Sequence, residues 1–301
     1  MGLMGAADKL RYKFQTASVL EKLIALNVLV FIVFFLFQTI SFLFKLPSDS
    51  LTGWLVFPSE PGEYIFKPWT IITYSFMHSG VWHILSNMLI LYYAGTYFLN
   101  YFSAKKLLNF YFLGVIIGAL VYMLSYNLFP AFQATGTTYL LGASAGVMAV
   151  LVGIATHIPN MRIRLLILGP IKFWYIAAFL VVIDVIQIPF GNAGGHFAHL
   201  GGALFGYFYA SQLAKGNDIG SGFEKVITWF LNLFVSGKKS RPTMHTVYKK
   251  TEPVKKPVST KITKNEKQQK IDVILDKISK SGYESLTKQE KDFLFNAGKD
   301  N

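Results

Sequence analysis

The sequence predicts an all-α polytopic membrane protein, in which a bundle of six transmembrane helices precedes a short cytoplasmic C-terminal tail. Hydrophobic residues make up 52% of the 301 residues and charged residues only 15%, and the mean hydropathy is +0.40. Apolar segments of about 20 residues, the length that crosses a bilayer, recur along the first two thirds of the chain. This composition is too apolar for a soluble domain and excludes that class.

The six predicted spans are nearly free of charge, and the fourth is the shortest. They run from Lys22 to Phe44, Val81 to Phe102, Leu107 to Phe129, Ser144 to Ile158, Phe173 to Ile188, and His196 to Leu213. Basic residues precede the first span and no small-residue cleavage site follows it, so we expect this span to be retained.

Positively charged residues occur in alternate connections and orient the bundle, because short cytoplasmic loops carry the excess of Lys and Arg. These residues are Lys9, Arg11 and Lys13 before span 1, Lys105 and Lys106 after span 2, Arg162 and Arg164 after span 4, and Lys215 after span 6. Both termini are therefore predicted on the inner side. Ser144, His83 and His199 then begin their spans at the outer side.

Span 4 is too short to cross the hydrocarbon core by itself. The residues from Ser144 to His157, at 1.5 Å each, cover about 21 Å of a core that is about 30 Å thick. If Pro159 lies at the inner surface, Ser144 lies about 9 Å below the outer one. Irregular backbone at that depth needs protein or a water-filled cavity beside it. We therefore expect a buried serine with access to water.

Ser144 and His199 are a candidate nucleophile and base. A serine hydroxyl is a weak nucleophile until a base removes its proton. Gly202 and Gly206 follow His199 at helical spacing and would let span 4 approach closely. Small residues that only pack the spans together would produce the same glycines. His196, one turn earlier, is a rival base that we assign instead to an interface between helices.

His83 and Asn87 are four residues apart and so share one face of span 2. Two donors directed at one point suit an oxyanion hole, since attack on an amide carbonyl places negative charge on its oxygen. The backbone amides at the start of span 4 could add to them. The alternative is a polar pair that joins helices. His78, just ahead of this span, is expected at the membrane interface.

The motifs match a known family: the chain resembles the rhomboid intramembrane serine proteases. The resemblance covers residues 1–214 and rests on six spans and three motifs, which are His83-x-x-x-Asn87, Gly142-x-Ser144 and His199-x-x-Gly202-x-x-x-Gly206. It implies a Ser/His dyad with Ser144 as nucleophile and His199 as general base and acid. It also implies that His83 and Asn87 form the oxyanion hole, with Gly142, Gly202 and Gly206 as structural glycines of the site.

The resemblance further implies no metal, no cofactor, and membrane-anchored proteins as substrates, cut in or near the outer end of a transmembrane helix. Three positions depart from the family's pattern, namely Ala145 after the serine, Thr70 after Trp69, and Met148 four residues after the serine. None of these departures removes a catalytic group.

Asp184 is an acidic residue towards the outer end of span 5. A carboxylate within a membrane span is a functional hypothesis by default. It could orient His199 as a third member of the site or polarise the site. It could also be protonated or bond to a neighbouring helix, and the dyad that the resemblance implies needs no acid.

Beyond residue 214 the composition changes. We predict an amphipathic helix on the inner membrane surface over 215–236, a basic flexible linker over 237–270, and a small helical tail over 271–301 whose partner is unknown. Ser281-Gly282 breaks the tail, and Thr287 with Glu290 forms a capping box. The net charge of +13 favours anionic lipid over nucleic acid, because no aromatic interleaving or nucleic-acid fold accompanies it.

The predicted function is therefore that of a serine endopeptidase, with transmembrane proteins and membrane lipids as partners and no nucleic acid. A catalytically silent rhomboid-like protein that binds transmembrane helices is the alternative. A channel or transporter would place charged or broken helices near the midplane in two repeated halves, and the sequence has neither. The absence of cysteine excludes a thiol nucleophile. We expect a multi-pass protein of a bacterial inner membrane.

Overall fold

The computed structural model describes residues 5–46, 49–165, 169–234 and 264–297. The chain divides into two compact units, Met1–Gly237 and Lys238–Asn301. Most of the predicted basic linker lies outside the described residues, which resume at Lys264.

Helices dominate the first unit and are joined by short strands and 3-10 turns. The α-helices are α1 (Ala6–Thr16), α2 (Val19–Leu43), α3 (Asp49–Gly53), α4 (Pro61–Phe66), α5 (Thr70–Thr73), α6 (Val81–Tyr101), α7 (Ala104–Leu128), α8 (Ser144–His157), α9 (Phe173–Gln187), α10 (Ala193–Ala214) and α11 (Ser221–Phe234). The strands are β1 (Phe57–Pro58), β2 (Tyr139–Leu140), β3 (Arg162–Leu165) and β4 (Gly169–Lys172). The 3-10 helices are Tyr74–Phe76, Pro130–Phe132 and Ile188–Phe190.

Each of the six predicted spans coincides with a helix, in the order α2, α6, α7, α8, α9 and α10. Among the described residues, three helical segments are long and apolar enough to cross a membrane: Val19–Leu43, Ala104–Leu128 and Phe173–Phe190. Helix α8 is apolar but shorter, as predicted. The chain is therefore a helical, polytopic membrane protein, while the number of six crossings stays a prediction.

Local sequence explains where the longest helices begin. Ser18 caps α2: its Oγ accepts from the Glu21 N–H at 3.2 Å, and the Glu21 carboxylate accepts from the Ser18 N–H at 2.6 Å. This reciprocal capping box satisfies two backbone donors that a helix start leaves unpaired. The Oγ of Ser103 accepts from the Lys106 N–H at 3.4 Å where α7 begins. Polar caps thus set the N-terminal ends of two apolar helices.

Helix α8 packs against α6, α7, α9 and α10, and small residues allow the close approach. A Cβ atom on Gly202 or Gly206 would overlap the backbone carbonyls of Ala145 and Ala149, respectively. A Cβ on Gly114 would overlap the side chain of Ala149 from the side of α7. Small residues at such positions are the usual means by which membrane helices come into backbone contact. These contacts place the start of α8 beside the middle of α10, close to His199.

The glycine contacts predict a strong effect of one substitution in α10. Gly206→Val is expected to lower the free energy of unfolding by about 3 kcal/mol, because its Cβ would meet backbone rather than a flexible side chain. Thermal unfolding in detergent would measure this. Leu204→Val is the matched control, since Leu204 is 67% exposed on the same helix. Equal melting temperatures for the two variants would contradict the packing described here.

Two short sheets connect the loops, and the sequence analysis anticipated neither of them. Strands β1 and β2 pair antiparallel, with Phe57 opposite Leu140, and join the first long loop to the segment before α8. Strands β3 and β4 form an antiparallel pair between α8 and α9. The pairing of β1 with β2 thus fixes the segment ahead of Ser144 to a part of the chain that is distant in sequence.

The second unit contains α12 (Lys264–Ser281), a 3-10 helix (Tyr283–Ser285) and α13 (Lys288–Ala297). Gly282, with φ +75°, ends α12, and the Thr287 N–H donates to the Glu290 carboxylate at 2.7 Å, as the predicted break and capping box require. Helix α12 begins at Lys264 rather than in the predicted segment after 270. This start was missed because its Lys, Glu and Gln residues were attributed to the linker, although they are good helix formers.

Candidate active site

Ser144 is the first residue of α8, and the chain enters this helix through a glycine in an unusual conformation. Gly142 has φ +119°, and its N–H donates to the Tyr74 carbonyl at 3.0 Å. A Cβ on Gly142 would lie only 2.8 Å from Nε2 of His83 and 3.6 Å from Oγ of Ser144. Glycine is therefore required here both by its backbone angle and by the imidazole that packs against it.

The hydroxyl of Ser144 contacts the imidazole of His199. The distance from Ser144 Oγ to His199 Nε2 is 2.6 Å, a short hydrogen bond between residues that are far apart in sequence. On the other side of the ring, His199 Nδ1 lies 2.8 Å from Oδ1 of Asp184. A carboxylate accepts, so Nδ1 carries the proton and Nε2 is left to accept from the serine. This tautomer is the one that a general base requires.

Asp184 is shared by two histidines. Its Oδ1 lies 2.8 Å from Nδ1 of His196 as well as 2.8 Å from Nδ1 of His199. Asp184 is 6% exposed and His196 is 8% exposed, so the carboxylate is buried and satisfied by these two ring N–H groups. His196 thus joins α10 to α9, in keeping with the interface position expected of it, and the serine is bonded to the other ring.

His83 and Asn87 face the same site from α6. The Ser79 N–H donates to His83 Nδ1 at 3.4 Å, which leaves Nε2 as the protonated nitrogen near Gly142. One N–H of Asn87 donates to the His83 carbonyl at 2.8 Å within the helix. Its amide is therefore oriented by its own helix while the side chain lines the cavity at Ser144.

A cavity of about 310 Å³ brings these groups together. Among its lining residues are His83, Asn87, Ser144, Asp184, His196 and His199. Its volume lies at the lower end of the range of ligand-binding cavities, roughly 300–1,000 Å³. Polar side chains from α6, α8, α9 and α10 therefore converge on one space within an apolar bundle.

His78 does not have the exposed position expected of an interfacial residue. It is 3% exposed and its ring packs edge-on against that of His83, with centroids 5.1 Å apart. Burial, together with a smaller effect of the neighbouring His83, lowers the pKa of His78 from 6.5 to about 4. The sequence could not show this, because the residue lies in a loop whose path depends on the packing of α5 and α6.

Burial of His78 predicts a loss of stability in mild acid. Its folded pKa lies below its unfolded pKa, so its neutral form is stable above pH 6.5 and the folded state is penalised as the pH falls from 6.5 towards 4. We expect the loss to reach about 3 kcal/mol. His78→Phe should lessen the fall in melting temperature over this range. If the melting temperatures of wild type and variant fall in parallel as the pH is lowered, His78 is not the source of the acid sensitivity.

The same site contains three side chains that could share a metal ion. The ligand atoms of Asp184, His196 and His199 all lie within 4.8 Å of one another. Both Nδ1 atoms, however, already face Oδ1 at hydrogen-bonding distance, and Nε2 of His199 faces the serine. A metal would have to replace these bonds. The arrangement fits hydrogen bonding better than metal ligation, and the expectation of no metal stays a prediction.

The fold and the site define the class as a polytopic helical membrane protein whose polar side chains meet in a cavity within the bundle. Residues 66–216 match the family model described as the Rhomboid domain. The chain belongs to the rhomboid family, as its motifs predicted. Residues 260–296 match a second model, a family of unknown function called DUF6576. That second match covers most of the described tail.

Curated relatives agree with this membership. RHOMBOID-like protein 12, mitochondrial, of Arabidopsis thaliana is 32% identical over 158 residues, which are 49% of this chain and 47% of that protein. Presenilin-associated rhomboid-like protein, mitochondrial, of Homo sapiens is 30% identical over 193 residues, 63% of this chain and 46% of that protein. The chain spans about half the length of the curated relatives it matches.

Proposed function

We propose that this protein is an intramembrane serine endopeptidase, which hydrolyses peptide bonds in or near the transmembrane helices of membrane-anchored proteins. The observation that carries the proposal is the 2.6 Å contact between Ser144 Oγ and His199 Nε2 inside a cavity of the bundle. Rhomboid-family membership supports it, because the resemblance in sequence motifs implies this reaction.

In the proposed reaction, His199 Nε2 takes the proton of Ser144 as Oγ attacks the scissile carbonyl. The resulting imidazolium then gives this proton to the leaving amine, so that the C–N bond breaks and an acyl-enzyme forms. Water repeats the sequence with the acyl group, and His199 again acts first as base and then as acid. This chemistry uses no metal or cofactor.

The oxyanion of the tetrahedral intermediate is proposed to be stabilised by Nε2–H of His83 and the side-chain amide of Asn87. Both side chains line the cavity with Ser144, and the Ser79 contact gives His83 the tautomer that donates there. Backbone N–H groups at the start of α8 are proposed to add to them, because the first turn of a helix leaves such groups unpaired. Preorganised donors of this kind act most strongly where water is scarce.

Asp184 is proposed as a positioning residue. Its carboxylate accepts from Nδ1–H of His199, which holds the ring in the tautomer that accepts from Ser144. It would also stabilise the imidazolium that forms during the reaction. The proposed site is thus a dyad supported by an acid, whereas the resemblance implied a dyad alone.

The proposed setting is a membrane crossed six times, with both termini on the inner side. The alternation of basic residues between connections supports this topology. A bacterial inner membrane stays our expectation for the compartment, although these two relatives are named as mitochondrial proteins. Helix α11 is proposed to lie on the inner surface, and the partner of the C-terminal unit is unknown.

Labelling with a fluorophosphonate probe tests the proposal directly, because the probe reacts with activated serines. The purified protein in detergent should be labelled, and Ser144→Ala and His199→Ala should each abolish labelling. Ser86→Ala is the matched control, since Ser86 lines the same cavity and bonds to the His83 carbonyl at 3.1 Å. A folded native protein that is not labelled would favour the catalytically silent alternative.

A further inference from the structure

A second and larger cavity adjoins the proposed active site. It has a volume of about 750 Å³ and is lined by residues of α6, α8, α9 and β3. Its walls are mainly apolar, formed by residues that include Leu89, Ala94, Leu151 and Ile176. Ile90 lines this cavity as well as the one at Ser144, so the two are neighbours. A space of this size and character within a membrane domain calls for an apolar occupant.

A charged residue also lines the apolar cavity. Arg164 of β3 lines it together with Ile163, and its side chain is exposed. In the β3–β4 pair, Arg162 lies directly opposite Lys172, and Arg162 and Arg164 share one face of the strand because they are two residues apart. Arg162, Arg164 and Lys172 thereby lie on one face of the β3–β4 pair, and Arg164 among them lines the cavity.

This arrangement of like charges is unfavourable without an anion. Like charges directly opposite each other destabilise a strand pair. Among the ion pairs of the described residues, none involves Arg162, Arg164 or Lys172. A phosphate would relieve the repulsion, and a guanidinium is well matched to it because it can donate two parallel hydrogen bonds.

We propose that this cavity is a binding site for an anionic phospholipid. The phosphate contacts Arg164, with Arg162 and Lys172 adding to the attraction, and an acyl chain lies between α6 and α9. Basic pockets between membrane helices recognise anionic headgroups by the same means. The charged residue and the apolar walls together argue for a lipid, because a free phosphate would leave the apolar space empty. The proposal does not depend on whether Ser144 is catalytic.

Native mass spectrometry of the full chain in detergent tests the headgroup. Phosphatidylglycerol is expected to bind at least about tenfold more tightly than phosphatidylcholine with the same acyl chains. The triple variant R162Q/R164Q/K172Q should lose this preference. The matched control is R11Q/K105Q/K215Q, which removes the same charge from exposed positions elsewhere. An equal loss in both triple variants would reflect net charge alone and would overturn the proposal.

A second pair of variants tests the acyl chain. Ile176→Trp places a bulky side chain in the cavity and is expected to weaken the binding of both lipids by about tenfold. Val182→Trp, at a position 53% exposed on the same helix, should leave binding unchanged. If Ile176→Trp binds lipid as wild type does, the acyl chain lies elsewhere and the proposal fails. Ile176→Ala, which only enlarges the cavity, should retain the headgroup preference if the tryptophan variant does not fold.

Discussion

Ser144→Ala is expected to reduce the turnover number for a transmembrane substrate by about 10⁴-fold or more, because it removes the atom proposed to attack the carbonyl. His199→Ala should cost about as much, since a serine without its base is a poor nucleophile. Cleavage of a reconstituted membrane-anchored protein, followed by gel electrophoresis and kinetics, would measure both. The folded state of each variant should be checked by its melting temperature.

The double variant Ser144→Ala/His199→Ala gives a sharper result than either single one. Groups that act as a unit lose their effect together, so the double variant should be no slower than the single variants. Ser86→Ala, in the same cavity, should stay within about threefold of wild type. If Ser144→Ala cuts at the normal rate, the proposed mechanism is wrong. Losses that multiply in the double variant would show that the two residues act separately.

Asp184→Asn is expected to lower the turnover number by about a hundredfold or more. The amide keeps the shape of the carboxylate but not its charge. When its NH₂ group faces His199 Nδ1, it favours the tautomer in which Nε2 carries the proton and cannot accept from Ser144. The KM should change by less than about threefold, because Asp184 is proposed to touch the base rather than the substrate. Steady-state kinetics on a peptide with a transmembrane segment would separate the two constants.

Gln187→Leu is the matched control for this variant. Gln187 is a polar residue of the same helix that lines the same cavity, and its substitution should leave the turnover number within about threefold of wild type. If Asp184→Asn retains the wild-type turnover number, the site works as the unaided dyad that the resemblance implied. A rise in KM without a fall in turnover would place Asp184 in substrate binding instead.

The sequence allowed the helices to be predicted because they depend on local patterns. It also indicated Ser144 and His199 as candidate nucleophile and base, roles that stay predictions. Apolar runs mark α2 and α6 to α10, and the spacing from His199 to Gly202 and Gly206 marks a close contact with another helix. That contact is present at Ala145 and Ala149. This close contact could be predicted because a row of small residues on one helix allows any partner helix to approach closely.

The sequence could not show the sharing of Asp184 by two histidines. The alternative roles of Asp184 stayed open because the rotation of α9 relative to α10 depends on packing, which no short sequence motif determines. The β3–β4 pair was missed for a related reason. Its alternation of Arg and Ile is typical of a strand, but four residues between two apolar helices were interpreted as a connection only. Long-range geometry, rather than residue type, was the missing information.

Helix α9 is the most loosely held of the helices around the cavity at Ser144, with only Phe173, Ala177 and Asp184 buried. Yet α9 carries Asp184, whose carboxylate accepts hydrogen bonds from both His196 and His199 of α10. A hydrogen bond weakens steeply once its atoms separate by about 1 Å more than the ideal distance. A small sideways shift of α9 would therefore release His196 and His199 together. The hydrogen bond that would activate Ser144 therefore depends on the position of one peripheral helix, and a displaced α9 would leave the proposed nucleophile without an oriented base.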